Sequence, residues 1–440
     1  VEVVERALRA GATAAECLVR EGRDFSVTVR LDEVETLKQA ASKGLGVRAL
    51  VGDRSASSYT SDFSSEGIGR LLRHALTMAG YTSEDPLNGL PEPEVLGQTA
   101  GDLKLYWEDV EALPVEQRIE VARRGERAAR GADPRIRNSE GACFEAATGR
   151  RILANSRGFL GQYRRSYCSL SVVPIAVANG GMQRDYWYSA SRSLAGLQDA
   201  EQVGRIAAGR ALRRLGARKM ETCRVPVVFD PLAAATLLGN LCEAVNGDAV
   251  YRGASFLAKL LGEPVASPHF TLVDDGTLPG GLGTSPFDDE GVATRRTVVI
   301  EQGLLRSFLL NTYTGRKLNL RTTGNAARGL AGNAGVGPGN FYLLPGPHSP
   351  QQLIGSVPRG FYVTELIGFG VNLVTGDYSR GAAGLWIENG ELAYPVEEVT
   401  IAGNLREMLR GVEMIANDLE FRSAIASPTL KISEMTVAGR

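Results

Sequence analysis

Histidine and cysteine, which build most zinc sites in proteins, are scarce in this sequence. The chain of 440 residues has only 3 histidines and 5 cysteines. No two histidines lie within one helical turn, and the cysteines form no CxxC pair, so we expect reduced thiols and no local zinc motif. The residues concerned are His74, His269, His348, Cys17, Cys143, Cys168, Cys223 and Cys242.

Net charge and long apolar runs are also lacking. With 49 basic and 50 acidic residues the formal net charge is −1, which disfavours an electrostatic nucleic-acid binder. No segment approaches the roughly 18 apolar residues of a membrane span, and residues 1–10 lack the apolar core of a signal peptide. We therefore expect neither a nucleic-acid nor a membrane partner. The arginines of one basic helix are expected to form a solvated face: Arg205, Arg210, Arg213 and Arg214.

The motifs of several large enzyme classes are missing from the sequence. It contains no GxxxxGK[ST] phosphate loop, no GxGxxG fingerprint, no GxSxG elbow and no HExxH or HExxxH helix. Any chemistry must therefore come from a less common arrangement of side chains.

Strand-like and helix-like segments occur in blocks rather than in regular βαβ alternation, which predicts an α+β fold. We predict an N-terminal α+β domain at 1–100, with a mixed or antiparallel sheet and flanking helices. A central α+β domain at 101–221 would pack with it, and a β-rich C-terminal domain would cover 222–440. Capping and periodicity predict helices that begin at Ser64, Pro114, Ala200, Asp230, Gly247 and Asn404, and the last two are expected to run to Leu261 and Met414. The alternation of Phe25, Val27 and Val29 predicts a half-buried strand, and Asn389-Gly390 predicts the turn of a hairpin over 387–392.

Three polar segments could carry function. Asp288, Asp289 and Glu290 could bind a hard cation, although a solvated turn is the favoured interpretation. The segment 322–329 could clamp a carboxylate or a peptide backbone, or could be a structural loop. The segment 377–381 could line a site or simply turn a hairpin, and we expect peptide contacts in the Gly-rich loops at 322–329 and 376–384. The candidate binding residues are Thr323, Gly324, Asn325, Arg328, Asp377, Tyr378, Ser379 and Arg380.

Several segments together resemble the TldD/PmbA family, and its PmbA (TldE) branch in particular. The most specific is Gly370–Gly384, with the sequence GVNLVTGDYSRGAAG. The similarity extends over nearly the whole chain. It includes 44–48, 61–64, 288–291, 323–325, 399–405 and 435–439.

The resemblance implies a cytoplasmic proteolytic system that acts on unfolded peptides. It also implies that TldD-like subunits, which resemble zinc metallopeptidases with an HExxxH helix and a later cysteine ligand, pair with TldE-like subunits that lack these ligands. In this chain Cys242 stands at the first histidine position, Glu243 at the general-base position and Gly247 at the second histidine position. No cysteine follows Cys242, so two of the three ligand positions are empty.

The sequence is thus interpreted as a non-catalytic, metal-free subunit, with zinc in a TldD-like partner and Cys242 as a buried structural thiol. Two alternatives stay open. The chain could be a metallopeptidase in its own right that uses Cys242, Glu243 and the carboxylates at 288–290. It could also be a homodimer that binds a peptide or a small molecule without cleaving it.

Overall fold

A computed structural model describes residues 1–439 of the chain. Its helices are α1 (Glu2–Arg9), α2 (Ser65–Tyr81), α3 (Glu108–Ala112), α4 (Val115–Gly131), α5 (Ala200–Leu212), α6 (Pro231–Ala244), α7 (Gly247–Tyr251), α8 (Thr312–Leu318), α9 (Pro350–Gly355) and α10 (Leu405–Arg410). The first strands are β1 (Ala14–Arg30), β2 (Glu33–Val51), β3 (Arg54–Thr60), β4 (Ile136–Asn155), β5 (Leu160–Ala178), β6 (Gly181–Arg184) and β7 (Trp187–Ser191).

The remaining strands belong to the C-terminal half. They are β8 (Cys223–Phe229), β9 (Leu272–Asp275), β10 (Arg296–Glu301), β11 (Leu304–Leu305), β12 (Ala326–Ala327), β13 (Gly335–Val336), β14 (Asn340–Leu343), β15 (Arg359–Ile367), β16 (Asp377–Glu388), β17 (Glu391–Asn404), β18 (Val412–Ile415), β19 (Ile425–Ala426) and β20 (Leu430–Ala438).

One antiparallel sheet takes strands from both of the first two predicted segments. Its order is β3-β2-β1-β4-β5-β6, and β7 also pairs with β5. Phe25, Val27 and Val29 alternate along β1 and are buried, as their period of two predicts. They pack into a core with residues of α4 and α5 on one face of the sheet. The opposite face contacts the C-terminal half through Leu18, Phe287 and neighbouring side chains.

Two further sheets and α6 share one large apolar core in the C-terminal half. One sheet has the order β17-β16-β15-β8-β20-β18, and the other has the order β11-β10-β9-β14-β19. Strand β15 runs parallel to β8, whereas β8 and β20 are antiparallel, so the first of these sheets is mixed. The antiparallel and mixed sheets with separate blocks of helices confirm the α+β prediction.

Local signals predicted the start of α6 and one hairpin correctly. Asp230 is the N-cap of α6, because its carboxylate accepts the Ala233 N–H at 2.8 Å, and Pro231 occupies the first turn. The turn of the β16–β17 hairpin has positive φ at both central residues, +52° at Asn389 and +79° at Gly390.

Other boundaries were wrong. The helix predicted at 247–261 ends at Tyr251, where Gly253 adopts a left-handed φ of +67° and the chain turns back. The helix predicted at 404–414 is only α10, because β18 begins at Val412. The Gly-rich loop predicted at 376–384 is mostly strand β16, which pairs with β15 and β17 on either side.

The prediction that Arg210 belongs to a solvated face of α5 is also wrong. Its side chain is 9% exposed and lies 3.2 Å from Asp185 and 3.1 Å from Asp230. This buried ion pair joins α5 to the N-cap of α6. None of the helices in residues 1–439 combines the length and the apolar character needed to cross a bilayer.

Candidate functional site

The degenerate metal motif lies at the C-terminal end of α6. Cys242 is buried in the core, and burial raises the pKa of its thiol to about 12. Glu243 is the next residue and is exposed to solvent. A zinc ligand must be a thiolate, so a thiol held protonated in an apolar core is poorly suited to the role. Cys242 is therefore the buried thiol that the sequence predicted.

Gly247, at the second ligand position, lies beyond the end of α6. Asn246 caps α7 by accepting the Asp248 N–H at 2.9 Å, so Cys242 and Gly247 are on different helices. A Cβ at Gly247 would lie 2.6 Å from Thr314 Oγ1 and 2.7 Å from Leu310 Cδ2. The position therefore has neither a ligand atom nor room for a side chain.

These residues do not fit a zinc ion. Throughout residues 1–439, no three His, Cys, Asp or Glu side chains are grouped in a way that could hold a metal. Glu243 lies at the end of α6, and within residues 1–439 no set of metal ligands lies beside it.

A groove of about 310 Å³ follows the outer face of α6, and the sequence analysis missed it. The stacked rings of Tyr186 and Tyr188 form part of its wall, with centroids 6.2 Å apart. The only sequence signal was the run of small residues four apart on one helix face. The lining residues on α6 are Pro231, Leu232, Ala235, Thr236 and Gly239.

The other wall of the groove is the segment 420–427, which includes the edge strand β19. Phe341 of β14 donates its N–H to Ala424 O at 2.7 Å. The main-chain groups of Ile425 bond instead to the Ser423 hydroxyl, which donates to Ile425 O at 2.6 Å and accepts Ile425 N–H at 3.2 Å. The Ser423 side chain therefore already bonds the N–H and C=O of Ile425, which an added strand would otherwise use.

The predicted residues at 377–380 have different environments along β16. Arg380 reaches the groove, because its Nη1 donates to Thr236 Oγ1 at 3.2 Å. Tyr378 is buried in the core, and burial raises the pKa of its phenol to about 12. Asp377 is exposed, and hydrogen bonds from Thr375 and Asn404 lower its pKa. Ser379 is exposed as well.

The predicted residues at 323–328 form an internal network. Thr323 Oγ1 donates to Asn325 Oδ1 at 2.6 Å, and Asn325 Nδ2 donates to Asp274 Oδ2 at 2.7 Å. Gly324 has a φ of +75° and its Cβ position lies 2.9 Å from Ala293 O, so it supports a tight turn. Arg328 is buried against Glu16 of β1. Within residues 1–439 no hydrogen bond or ion pair joins this network to residues 377–380.

The three carboxylates at 288–290 are buried, which corrects the predicted solvated turn. Asp288 accepts the N–H groups of Glu290, Val292 and Ala326, each at 2.9 Å. Asp289 pairs with Arg151 of β4 at 2.5 Å and with Arg20 of β1 at 3.4 Å.

Glu290 accepts the Thr312 N–H at 2.9 Å. Burial raises the pKa of all three carboxyl groups. The segment joins the N-terminal sheet to the C-terminal half.

Comparison with known proteins agrees with this architecture. Family descriptions match three successive parts of the chain: PmbA/TldA metallopeptidase domain 1 at 15–79, central domain at 108–215 and C-terminal domain at 222–439. The metalloprotease PmbA of Escherichia coli O157:H7 is 40% identical over 426 residues, covering 97% of this chain and 92% of that protein.

Two solved structures share the whole fold. A protein of Bacteroides thetaiotaomicron VPI-5482, described as a candidate modulator of DNA gyrase, has a TM-score of 0.92 at 28% identity and covers 100% of this chain and 98% of its own. TldE of Thermococcus kodakarensis has a TM-score of 0.91 at 23% identity, covering 100% and 99%. The chain therefore belongs to the PmbA/TldD metallopeptidase family and is of the PmbA type.

Proposed function

We propose that this chain is a non-catalytic, TldE-like subunit that acts with a TldD-like zinc peptidase on extended peptides in the cytoplasm. The proposal rests above all on Gly247, where Thr314 and Leu310 leave no room for a ligand side chain. A substitution that restored histidine there would have to displace two packed side chains. The buried thiol of Cys242 supports the same conclusion.

The groove along α6 supports the peptide-binding part of the proposal. An extended peptide needs a long, partly apolar channel with hydrogen-bonding groups along its wall. Tyr186 and Tyr188 offer aromatic faces, and Arg380 offers a cation at Thr236. Opening of the Ser423 bonds to Ile425 would free one N–H and one C=O for a peptide main chain.

The experiment combines metal analysis with peptide hydrolysis. Zinc content and cleavage of an unfolded peptide are measured for this chain, for a TldD-like subunit and for their mixture. We expect no stoichiometric zinc and no cleavage with this chain alone, and faster cleavage in the mixture than with the TldD-like subunit alone. Chelator-sensitive cleavage by this chain, with about one zinc per chain, would establish the alternative of an active enzyme.

A variant with a blocked groove distinguishes an effect on peptide binding from an effect on heterodimer assembly. Ala235→Trp fills the groove, and Gln351→Trp is the matched control on the exposed surface of α9. We expect Ala235→Trp to lower cleavage in the mixture while native mass still records the heterodimer. If a stable homodimer forms and never exchanges with a TldD-like chain, the proposal is wrong and the homodimeric binding protein becomes the better description.

A further inference from the structure

A second concave site lies on the N-terminal sheet, away from α6, and the strand register creates it. Gly22 of β1 pairs with Ser42 of β2 and with Gly149 of β4, and Gly149 pairs with Arg165 of β5. Residues paired in this way point to the same face of a sheet. Because two of the four have no side chain, a trough crosses the sheet and ends at Arg165.

The neighbouring rows of side chains form the walls of this trough. One wall contains Arg151 and Tyr163, and the other contains Asp24 and Tyr167. Leu282 from the C-terminal half closes one side, and the cavity measures about 430 Å³. A Cβ at Gly22 would make only ordinary van der Waals contacts, at 3.6 Å from Ser42 Oγ and Thr148 O, so the floor of the trough has room for a side chain.

Two guanidinium groups at this site form no short-range ion pair with a carboxylate in residues 1–439. Arg192 is 4% exposed, and it donates to the main-chain carbonyls of Ser166, Gly281 and Leu282. Burial and the nearby Arg165 lower the pKa of Arg192 to about 10. Arg165 is exposed and, within residues 1–439, forms no hydrogen bond or ion pair with a side chain; its charge acts on the Asp289 carboxylate only at longer range.

Other arginines at the site differ from Arg165 and Arg192, because they have a carboxylate within ion-pair distance; they share one acidic group, so positive charge remains in excess here. Arg20 and Arg151 both pair with Asp289. A buried guanidinium without a counter-ion is costly, and an incoming anion would remove that cost. The end of the trough at Arg165 is therefore suited to an oxyanion.

We propose that the trough binds the terminal carboxylate of an extended peptide through Arg165 and Arg192. Arg165 would supply a bidentate contact, and Arg192 would supply charge and its remaining Nη1 N–H. Asp24, on the opposite wall, favours a ligand that carries N–H donors behind its carboxylate and repels a dianion such as phosphate. The inference rests on the peptide-binding part of the proposed function, but it concerns a different surface.

The test compares one fluorescent decapeptide as the free acid and as the C-terminal amide, by anisotropy with the full chain. We expect the acid to bind about tenfold more tightly than the amide, the effect of one charge-assisted contact pair. Arg165→Gln should abolish that difference without changing affinity for the amide. Arg137→Gln, the same charge change at an exposed position of β4, should leave the difference intact.

A second variant and a competitor complete the experiment. Gly22→Leu fills the trough without backbone strain and should weaken binding of the acid while the melting temperature is retained. Equal affinity for acid and amide would overturn the carboxylate site, while the α6 groove and the heterodimer could still stand. Arg165-dependent binding of inorganic phosphate, with no preference for the peptide acid, would overturn the peptide assignment.

Discussion

Arg328 Nη1 lies 3.2 Å from Glu16 Oε1, and the two side chains are 1% and 0% exposed. Arg48 Nε lies 3.0 Å from the same oxygen. One carboxylate of β1 is thus shared by an arginine of its neighbouring strand and an arginine from the C-terminal half. Buried charges of this kind require partners in both halves of the molecule, so they specify how the N-terminal sheet docks.

Replacement of Arg328 by methionine should destabilise the chain strongly. The substitution leaves Glu16 with Arg48 alone and removes the interdomain pair, at a cost of about 3 kcal/mol. Urea unfolding measures the loss. The control is Arg306→Met, whose partner Glu301 is half exposed and whose pair contributes about 0–1 kcal/mol. Equal losses in the two variants would contradict the interdomain role.

Alanine at position 247 should also destabilise the chain. Its Cβ would overlap Thr314 and Leu310, and overpacking of this kind costs about 1–3 kcal/mol. The matched change is Gly239→Ala on α6, where a Cβ meets nothing within 4 Å and helix propensity improves. Calorimetry should show a lower melting temperature for the first variant and an equal or higher one for the second. If Gly247→Ala left the melting temperature unchanged, the main evidence that position 247 has no room for a ligand side chain would be lost.

Asp274 predicts a pH dependence of stability. Burial raises its pKa from 3.8 to about 7, and hydrogen bonds from Asn325 and Gly339 offset only part of this rise. The folded state holds this proton more tightly than the unfolded state. The protonated carboxyl group of Asp274 therefore adds its full contribution to the free energy of unfolding below pH 4, and this contribution is lost as pH rises to about 7. Asp274→Asn should therefore flatten the fall in melting temperature across that range.

The control for this titration is Asp377→Asn. Hydrogen bonds lower the pKa of Asp377, so its contribution has the opposite sign and is lost only below its usual range. The two variants should therefore differ in both the direction and the pH window of their effect. Parallel pH profiles for Asp274→Asn and the parent chain would show that Asp274 does not carry this titration.

Glu243→Gln should leave cleavage by the mixture with a TldD-like subunit unchanged. Glu243 occupies the general-base position of the motif, but the thiol of Cys242 is held protonated and position 247 has no room for a ligand side chain, so we expect no metal-bound water for Glu243 to deprotonate. Initial rates of peptide hydrolysis provide the measurement. A tenfold or larger loss with the heterodimer intact would mean that this glutamate takes part in catalysis.

Several features could be read from short stretches of sequence because local rules govern them. The alternation of Phe25, Val27 and Val29 predicted a half-buried strand, and Asp230–Pro231 predicted the start of α6. The sequence alone also shows that cysteine and glycine stand at 242 and 247, the two histidine positions of the family's motif. Family membership also followed from contiguous motifs such as 370–384.

Only the tertiary structure decided the environment of the charged and polar segments. Asp289 is tolerated in a buried position because Arg151 and Arg20, which lie far earlier in the chain, supply counter-charges, and no local pattern reports that pairing. The trough at Arg165 exists because register aligns Gly22 with Gly149 across β1 and β4. A sequence determines which face each side chain takes within its own element. Which side chains then meet across elements depends on register and docking, and these are set by the packing of the whole molecule.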